Sequence, residues 1–131
     1  MFVDASAAIA IIAGEADGIA LAERLDRADA VFISPISYWE TVLGLARAKV
    51  VDVTVAREIV DAFVDETRAV VLDVTLEIGV LAVEAAGRFG KGRHPAALNM
   101  GDCFAYACAR STGVPLLFKG NDFSQTDIAD R

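Results

Sequence analysis

Cysteine, histidine and tryptophan are scarce in this chain, and cations are outnumbered by acids. Among 131 residues there are two cysteines, one histidine and one tryptophan. Cys103 and Cys108 fall on different sides of what reads as one helix, so no disulfide between them is expected. A zinc site needs more soft ligands than two cysteines and the distant His94 can offer. Both cysteines read instead as small buried apolar side chains. Long hydrophobic runs are missing too. None exceeds seven residues, the length of Ala7 to Ala13, whereas a membrane-spanning helix needs about 20. No basic region precedes that run and Asp4 does, which argues against a secretory signal. A cytoplasmic setting, with no membrane attachment, is the expectation. With 12 Lys/Arg against 19 Asp/Glu and a formal net charge of −7, nonspecific coating of nucleic acid or anionic lipid is disfavoured. A nucleic-acid enzyme whose acidic site is neutralised by metal ions is not. Repeats, linkers and low-complexity segments are also absent.

The composition that remains is that of a folded domain. Hydrophobic residues make up 55% and charged residues 24%, which excludes disorder. The length suits one compact domain, residues 1–131, able to bury roughly two-thirds of its unfolded surface. Short apolar stretches at Met1–Val3, Ala30–Ile33, Ala69–Leu72 and Pro115–Phe118 read as buried strands, and Ile128 as the start of a short edge strand. Between them lie helical patterns. One runs Ala7–Ala13, capped by Ser6 and ended by Gly14, and the next carries the stripe Ile19, Leu21, Ala22 and Leu25. A third opens at Ser34-Pro35, a cap followed by a proline at the first helical position. It carries Ile36, Trp39, Leu43 and Ala46 to about Lys49. Further helices are expected over Val53–Thr67, from Thr75 to about Phe89, and from Asn99 to about Ser111 before Gly113. Gly90 to Pro95 reads as a flexible basic loop. All-apolar strands alternating with amphipathic helices indicate a three-layer α/β/α sandwich around a mostly parallel sheet of four to five strands.

Open parallel sheets bind ligands beyond the carboxyl ends of their strands, near the point where strand order reverses. Four acids are expected at that edge: Asp4 after the first strand, Glu40 in the helix after the second, Asp102 in the first turn of the Asn99-capped helix, and Asp122 after the fourth strand. Carboxylates gathered in one pocket repel each other unless cations are present. Oxygen ligands without Cys or His companions suit Mg²⁺ or Mn²⁺ better than zinc, and a metal-bound water can attack phosphorus. Each acid also has a purely structural role open to it. Asp4 can cap a helix, Glu40 can face solvent, Asp102 can complement a helix dipole, and Asp122 can sit in a turn.

These residues fall in segments similar to a known family. Phe2-Val3-Asp4-Ala5-Ser6, Ser34-Pro35-Ile36-Ser37-Tyr38-Trp39-Glu40, Leu98 to Ala107 with Asn99-Met100-Gly101-Asp102, and Pro115 to Phe123 with Lys119-Gly120-Asn121-Asp122 resemble, in order and over nearly the whole chain, the PIN-domain ribonucleases. Within these the chain is most similar to the VapC toxins of bacterial toxin–antitoxin pairs. The resemblance implies a Mg²⁺-dependent endoribonuclease, with Mn²⁺ able to substitute, acting on structured RNA such as tRNA or ribosomal RNA. It implies metal-binding and catalytic roles for Asp4, Glu40 and Asp102, with Ser6 supporting Asp4; the Asn99 cap read from the sequence supports Asp102. Many relatives carry an acid where this chain has Asn121, so Asp122 either takes that fourth role or flanks the site, and Asn121 can still coordinate through its carbonyl oxygen or a water. The implied partners are a VapB-type antitoxin and a second copy of the chain, with operator DNA reached only through the antitoxin.

An acidic enzyme needs local cations for phosphate. Arg88, Lys91, Arg93 and His94 precede the Asp102 helix and Lys119 follows the fourth strand; Arg93 and Lys119 are the expected substrate contacts, a solvated loop being the alternative. Trp39, Phe63, Phe89, Phe104 and Tyr106 are expected in core or dimer packing. Two other functions stay in view: a catalytically silent PIN-fold binding module, and a receiver-like phosphoacceptor domain with Asp73 at the end of the third strand. Receivers carry an adjacent acidic pair after the first strand, where this chain has Ala5-Ser6.

Overall fold

The computed structural model describes residues 1–128. Its sheet consists of β1 (Phe2–Val3), β2 (Phe32–Ile33), β3 (Val70–Val71) and β4 (Leu116–Leu117), all parallel, in the order β3-β2-β1-β4. Phe2 aligns with Phe32 on one side and Leu116 on the other, and Phe32 with Val70. Successive strand residues face opposite sides of a sheet, and the core divides accordingly. Phe2 and Leu116 enter one cluster with α5 (Leu76–Phe89) and α6 (Met100–Thr112). Val3, Ile33 and Leu117 enter a second with α1 (Ala5–Ala13) and α2 (Gly18–Asp26). A third cluster holds α3 (Pro35–Lys49) against α4 (Val53–Thr67) through Leu45, Ala56 and Val60. The result is a three-layer α/β/α sandwich. Strands buried on both faces have no polar side, which is why β1 and β4 are wholly apolar.

Several local expectations need correction. α1 begins two residues early because Asp4, not Ser6, is its cap: the Asp4 side chain accepts from the Ser6 backbone N–H. α2 turns Leu21 and Leu25 inward, leaving Ile19 exposed. Of the stripe expected on α3, Ala46 is buried and Ile36 and Leu43 are half-buried, but Trp39 is 61% exposed; the buried face runs through Ser37, Thr41, Val42, Leu45 and Ala46. β3 is not a buried strand but the exposed edge of the sheet. Ile128 is buried in a turn, and no fifth strand occurs among the described residues. The basic loop closes on itself through Lys91 N–H to Leu98 O and Leu98 N–H to Phe89 O, both 3.0 Å. Cys103 and Cys108 are buried free thiols, as expected. Among the described residues no single helix is long and apolar enough to cross a membrane.

The sheet positions the site by its connectivity. β2 and β3 extend to one side of β1, and β4 lies on the other, so strand order reverses at β1 and leaves a crevice beyond its carboxyl end. Asp4 leaves β1 there. Ser34 caps α3 directly after β2, its Oγ accepting from Ser37 N–H at 3.1 Å while Ser34 N–H donates to Ser37 Oγ at 2.9 Å. That box fixes the start of the helix carrying Glu40.

Candidate active site

Asp4 is buried and held from one side. Ser6 donates to Asp4 Oδ2 twice, from its backbone N–H at 3.0 Å and from Oγ at 2.5 Å. The same Ser6 Oγ accepts from Lys119 N–H at 3.0 Å, so one hydroxyl ties the chain leaving β4 to the chain leaving β1. Asp102 occupies the third position of α6 in a reciprocal box. Its Oδ2 accepts from Asn99 N–H at 3.0 Å, and Asn99 Oδ1 accepts from Asp102 N–H at 2.9 Å.

Glu40 reaches this pair from α3. Its carboxylate lies directly against Gly101, in the space that any β-carbon at that position would fill. Only glycine there lets α3 bring a carboxylate onto the first turn of α6. Gly101 is a residue that sequence reasoning missed; the available signal was a helix-disfavoured glycine immediately before Asp102.

The electrostatics join all four acids. Burial, then the charges of Asp4 and Asp102, pushes Glu40 up to about 7. Burial, then Asp4 and Asp122, raises Asp102 to about 6 against the restraint of the Asn99 hydrogen bond. Asp4 is raised by burial and further by Asp122, with the Ser6 hydrogen bonds opposing. Asp122 is itself exposed. Its charge raises both Asp4 and Asp102. The backbone carbonyl of Asn121 accepts from Ser124 Oγ at 2.6 Å.

The cations are distributed differently. Lys119 Nζ is ion-paired to Glu15 and lies 3.6 Å from Asp17, engaged at the α1–α2 junction. Arg88 is drawn to Asp127 at 3.3 Å. His94 Nδ1 accepts from Ala96 N–H at 3.1 Å and its ring meets Phe89 edge-on, a role in shaping the loop. Arg93 is exposed and lines a cleft with Lys91, Asn99 and Met100.

The donor set fits a hard divalent cation. It is all oxygen, and its three inner carboxylates are raised toward neutrality by burial and by one another, the condition that a cation relieves. Among the described residues no three His, Cys, Asp or Glu side chains are grouped closely enough to enclose an ion by themselves.

A parallel sandwich with acids gathered at the switch point of its sheet is the architecture of the PIN domain, whose family model matches residues 1–129. A VapC ribonuclease of Rhizobium meliloti (strain 1021) is 41% identical over 97% of this chain and 98% of its own. Ribonuclease VapC28 of Mycobacterium tuberculosis is 42% identical over 98% and 95% respectively. The chain belongs to the PIN-domain family, among the VapC ribonucleases. The crystal structure of Mycobacterium tuberculosis VapC20, described as a sarcin–ricin-loop-cleaving toxin, shares the fold at a TM-score of 0.75 and 24% identity, covering 99% of this chain and 97% of that one. The match leaves the receiver-like reading without support.

Proposed function

We propose that this protein is a Mg²⁺-dependent endoribonuclease toxin, with Mn²⁺ able to substitute, that hydrolyses phosphodiester bonds in tRNA or ribosomal RNA and is neutralised by a VapB-type antitoxin. The observation that carries the reading is the seating of the Glu40 carboxylate on Gly101, beside Asp102 at the start of α6, where the charges of Asp4 and Asp102 raise Glu40 and those of Asp4 and Asp122 raise Asp102, in a chain related over nearly its full length to VapC ribonucleases. Asp4 and Asp102 would hold the cation, with Glu40 and Asp122 completing its surroundings directly or through water. The bound ion supplies a water activated for attack on phosphorus and charge stabilisation for the leaving oxygen. The protein's part is positional. Ser6 and Asn99 immobilise one oxygen of Asp4 and of Asp102, Gly101 admits Glu40, and the positive end of α6 favours an anion beside Asp102. Arg93 offers a phosphate contact at the neighbouring cleft. An acidic edge of this kind gives a basic antitoxin side chain a place to compete with the metal. A cytoplasmic homodimer, with operator DNA engaged only through the antitoxin, belongs to the same reading.

Cleavage of total cellular RNA by purified protein, with Mg²⁺ or Mn²⁺ against EDTA, tests it. Discrete metal-dependent fragments are expected, with Asp102→Asn and Asp4→Asn folded and slower by on the order of 10²-fold or more. Full activity in either variant would contradict the assigned roles. No cleavage with any metal, beside intact antitoxin binding, would favour the silent binding module instead.

A further inference from the structure

Lys119 joins the acidic edge to a second cluster of charges. Its backbone N–H donates to Ser6 Oγ at 3.0 Å, and Ser6 Oγ donates in turn to Asp4 Oδ2 at 2.5 Å. A hydroxyl has one proton, so the donor arriving from Lys119 directs that proton onto Asp4. The side chain of Lys119 is held separately. Nζ is ion-paired to Glu15 and lies 3.6 Å from Asp17, both in the junction between α1 and α2. The three side chains are only 33% to 49% exposed, and a substrate phosphate would have to displace two carboxylates to reach Nζ. Beyond Lys119 the chain turns at Gly120, with φ at 89°, and passes Asp122. It is pinned again at the buried Phe123, whose ring stands 5.1 Å from that of Phe118.

The turn that carries Asp122 is therefore anchored on both sides, and its anchor at Lys119 also contacts the hydroxyl that holds Asp4. From that turn the Asp122 charge reaches both Asp4 and Asp102. We propose that Lys119 is a positioning residue of the acidic edge: gripped by Glu15 and Asp17, it sets both the Ser6 hydroxyl that orients Asp4 and the turn that presents Asp122. Exposed ion pairs contribute little to stability, but a shift of about 1 Å in a catalytic group is enough to slow a reaction. The inference rests on the ribonuclease reading and gives Lys119 a part played through other residues, not on a substrate phosphate.

Three readouts on the full-length protein test it: kcat and KM for RNA cleavage, anisotropy of labelled RNA in EDTA, and Mg²⁺ binding by calorimetry without RNA. Lys119→Met and the double variant Glu15→Gln/Asp17→Asn are each expected to lower kcat on the order of tenfold. RNA affinity of Lys119→Met should stay close to that of the unaltered protein, and Lys119→Arg, which keeps both ion pairs, should recover most of the loss. The sign of the Mg²⁺ response is diagnostic. Removing a cation beside an acidic site tightens Mg²⁺ binding by charge alone, so weaker binding in Lys119→Met marks lost positioning. Unchanged kcat with raised KM in Lys119→Met, or tighter Mg²⁺ binding there, overturns the proposal and returns Lys119 to phosphate contact. Unchanged kcat in Glu15→Gln/Asp17→Asn overturns it as well, and this variant serves should Lys119→Met fail to fold. No cleavage by the unaltered protein, beside Mg²⁺ binding that Lys119→Met still weakens, would remove the nuclease and leave the positioning role standing.

Discussion

At Gly101 a single added methyl group would collide with the carboxylate of Glu40. Gly101→Ala should leave the fold intact, since alanine is the better helix former by up to about 1 kcal/mol, yet it must push Glu40 aside. A misplacement of about 1 Å in a catalytic group costs on the order of 10²-fold in rate, so RNA cleavage is expected to fall by that order while the melting temperature holds. Cleavage at the original rate would show that the seat of Glu40 is irrelevant to the chemistry. The four acids were legible in the sequence because each stands just beyond a recognisable strand or helix start. Their double duty was not. Asp4 and Asp102 each present two oxygens, and in both cases Oδ2 takes the structural hydrogen bond of a helix start. Capping and a place in the acidic cluster are therefore compatible, although the sequence poses them as alternatives. Nor could the sequence show that Lys119 is engaged by Glu15, a contact created only by folding.

Helix starts were readable because capping is local. Ser34, Thr75 and Asn99 each cap the helix expected of them. Gly113, with φ at 68°, likewise ends α6 in the left-handed conformation that glycine adopts without penalty. α3 and α4 end at Lys49 and Thr67, as the sequence suggests, but with no glycine to close them, and Val50 and Arg68 adopt left-handed backbone at φ of 52° and 53°. For an L-residue this costs roughly 1–2 kcal/mol, and a β-branched side chain is the least suited to it. Val50 is also 90% exposed, so truncating it removes little packing. Val50→Gly is accordingly expected to stabilise the protein by about 1 kcal/mol after allowing for the greater freedom of glycine in the unfolded chain. Denaturant unfolding measures it, and a lower midpoint at unchanged slope would show that the valine side chain has a partner there. The exposure of β3 and of Trp39 was illegible for another reason. Periodicity identifies an apolar strand or stripe, but not whether a neighbour arrives to cover it.

Across the whole molecule, alternation of apolar strands with helices was enough to specify the sandwich, because a parallel sheet needs both faces covered and its connections run through helices. Its acidic edge then couples folding to pH. Burial and mutual repulsion raise Asp4, Glu40 and Asp102, with Asp102 reaching about 6 and Glu40 about 7. Unfolded carboxylates titrate near 4, so between about pH 4 and pH 7 the folded chain holds protons that the unfolded chain has released. Stability must then fall as pH rises through that window. Asp127 acts in the opposite sense: despite the upward pull of its own burial, Tyr106 and the Arg88 and Arg110 charges hold it below the usual carboxylate range. Its contribution is lost only as pH falls below that of an ordinary carboxylate, outside a scan from about pH 5 to pH 8. In EDTA the melting temperature should therefore decline from about pH 5 to pH 7, above which the Met1 amino group, lowered by burial, acts in the opposite sense. Divalent metal competes with protons for the same oxygens, so Mg²⁺ should raise the melting temperature more at the alkaline end and flatten the slope. Asp4→Asn should flatten the slope in EDTA too, by removing one of the repelling charges, and should weaken the response to Mg²⁺. Those two effects separate the raised acids from metal binding: a melting temperature in EDTA that stays level or climbs with pH would show that folding does not raise these acids, whereas the expected decline with no Mg²⁺ response would leave their burial and repulsion real and the metal site in error.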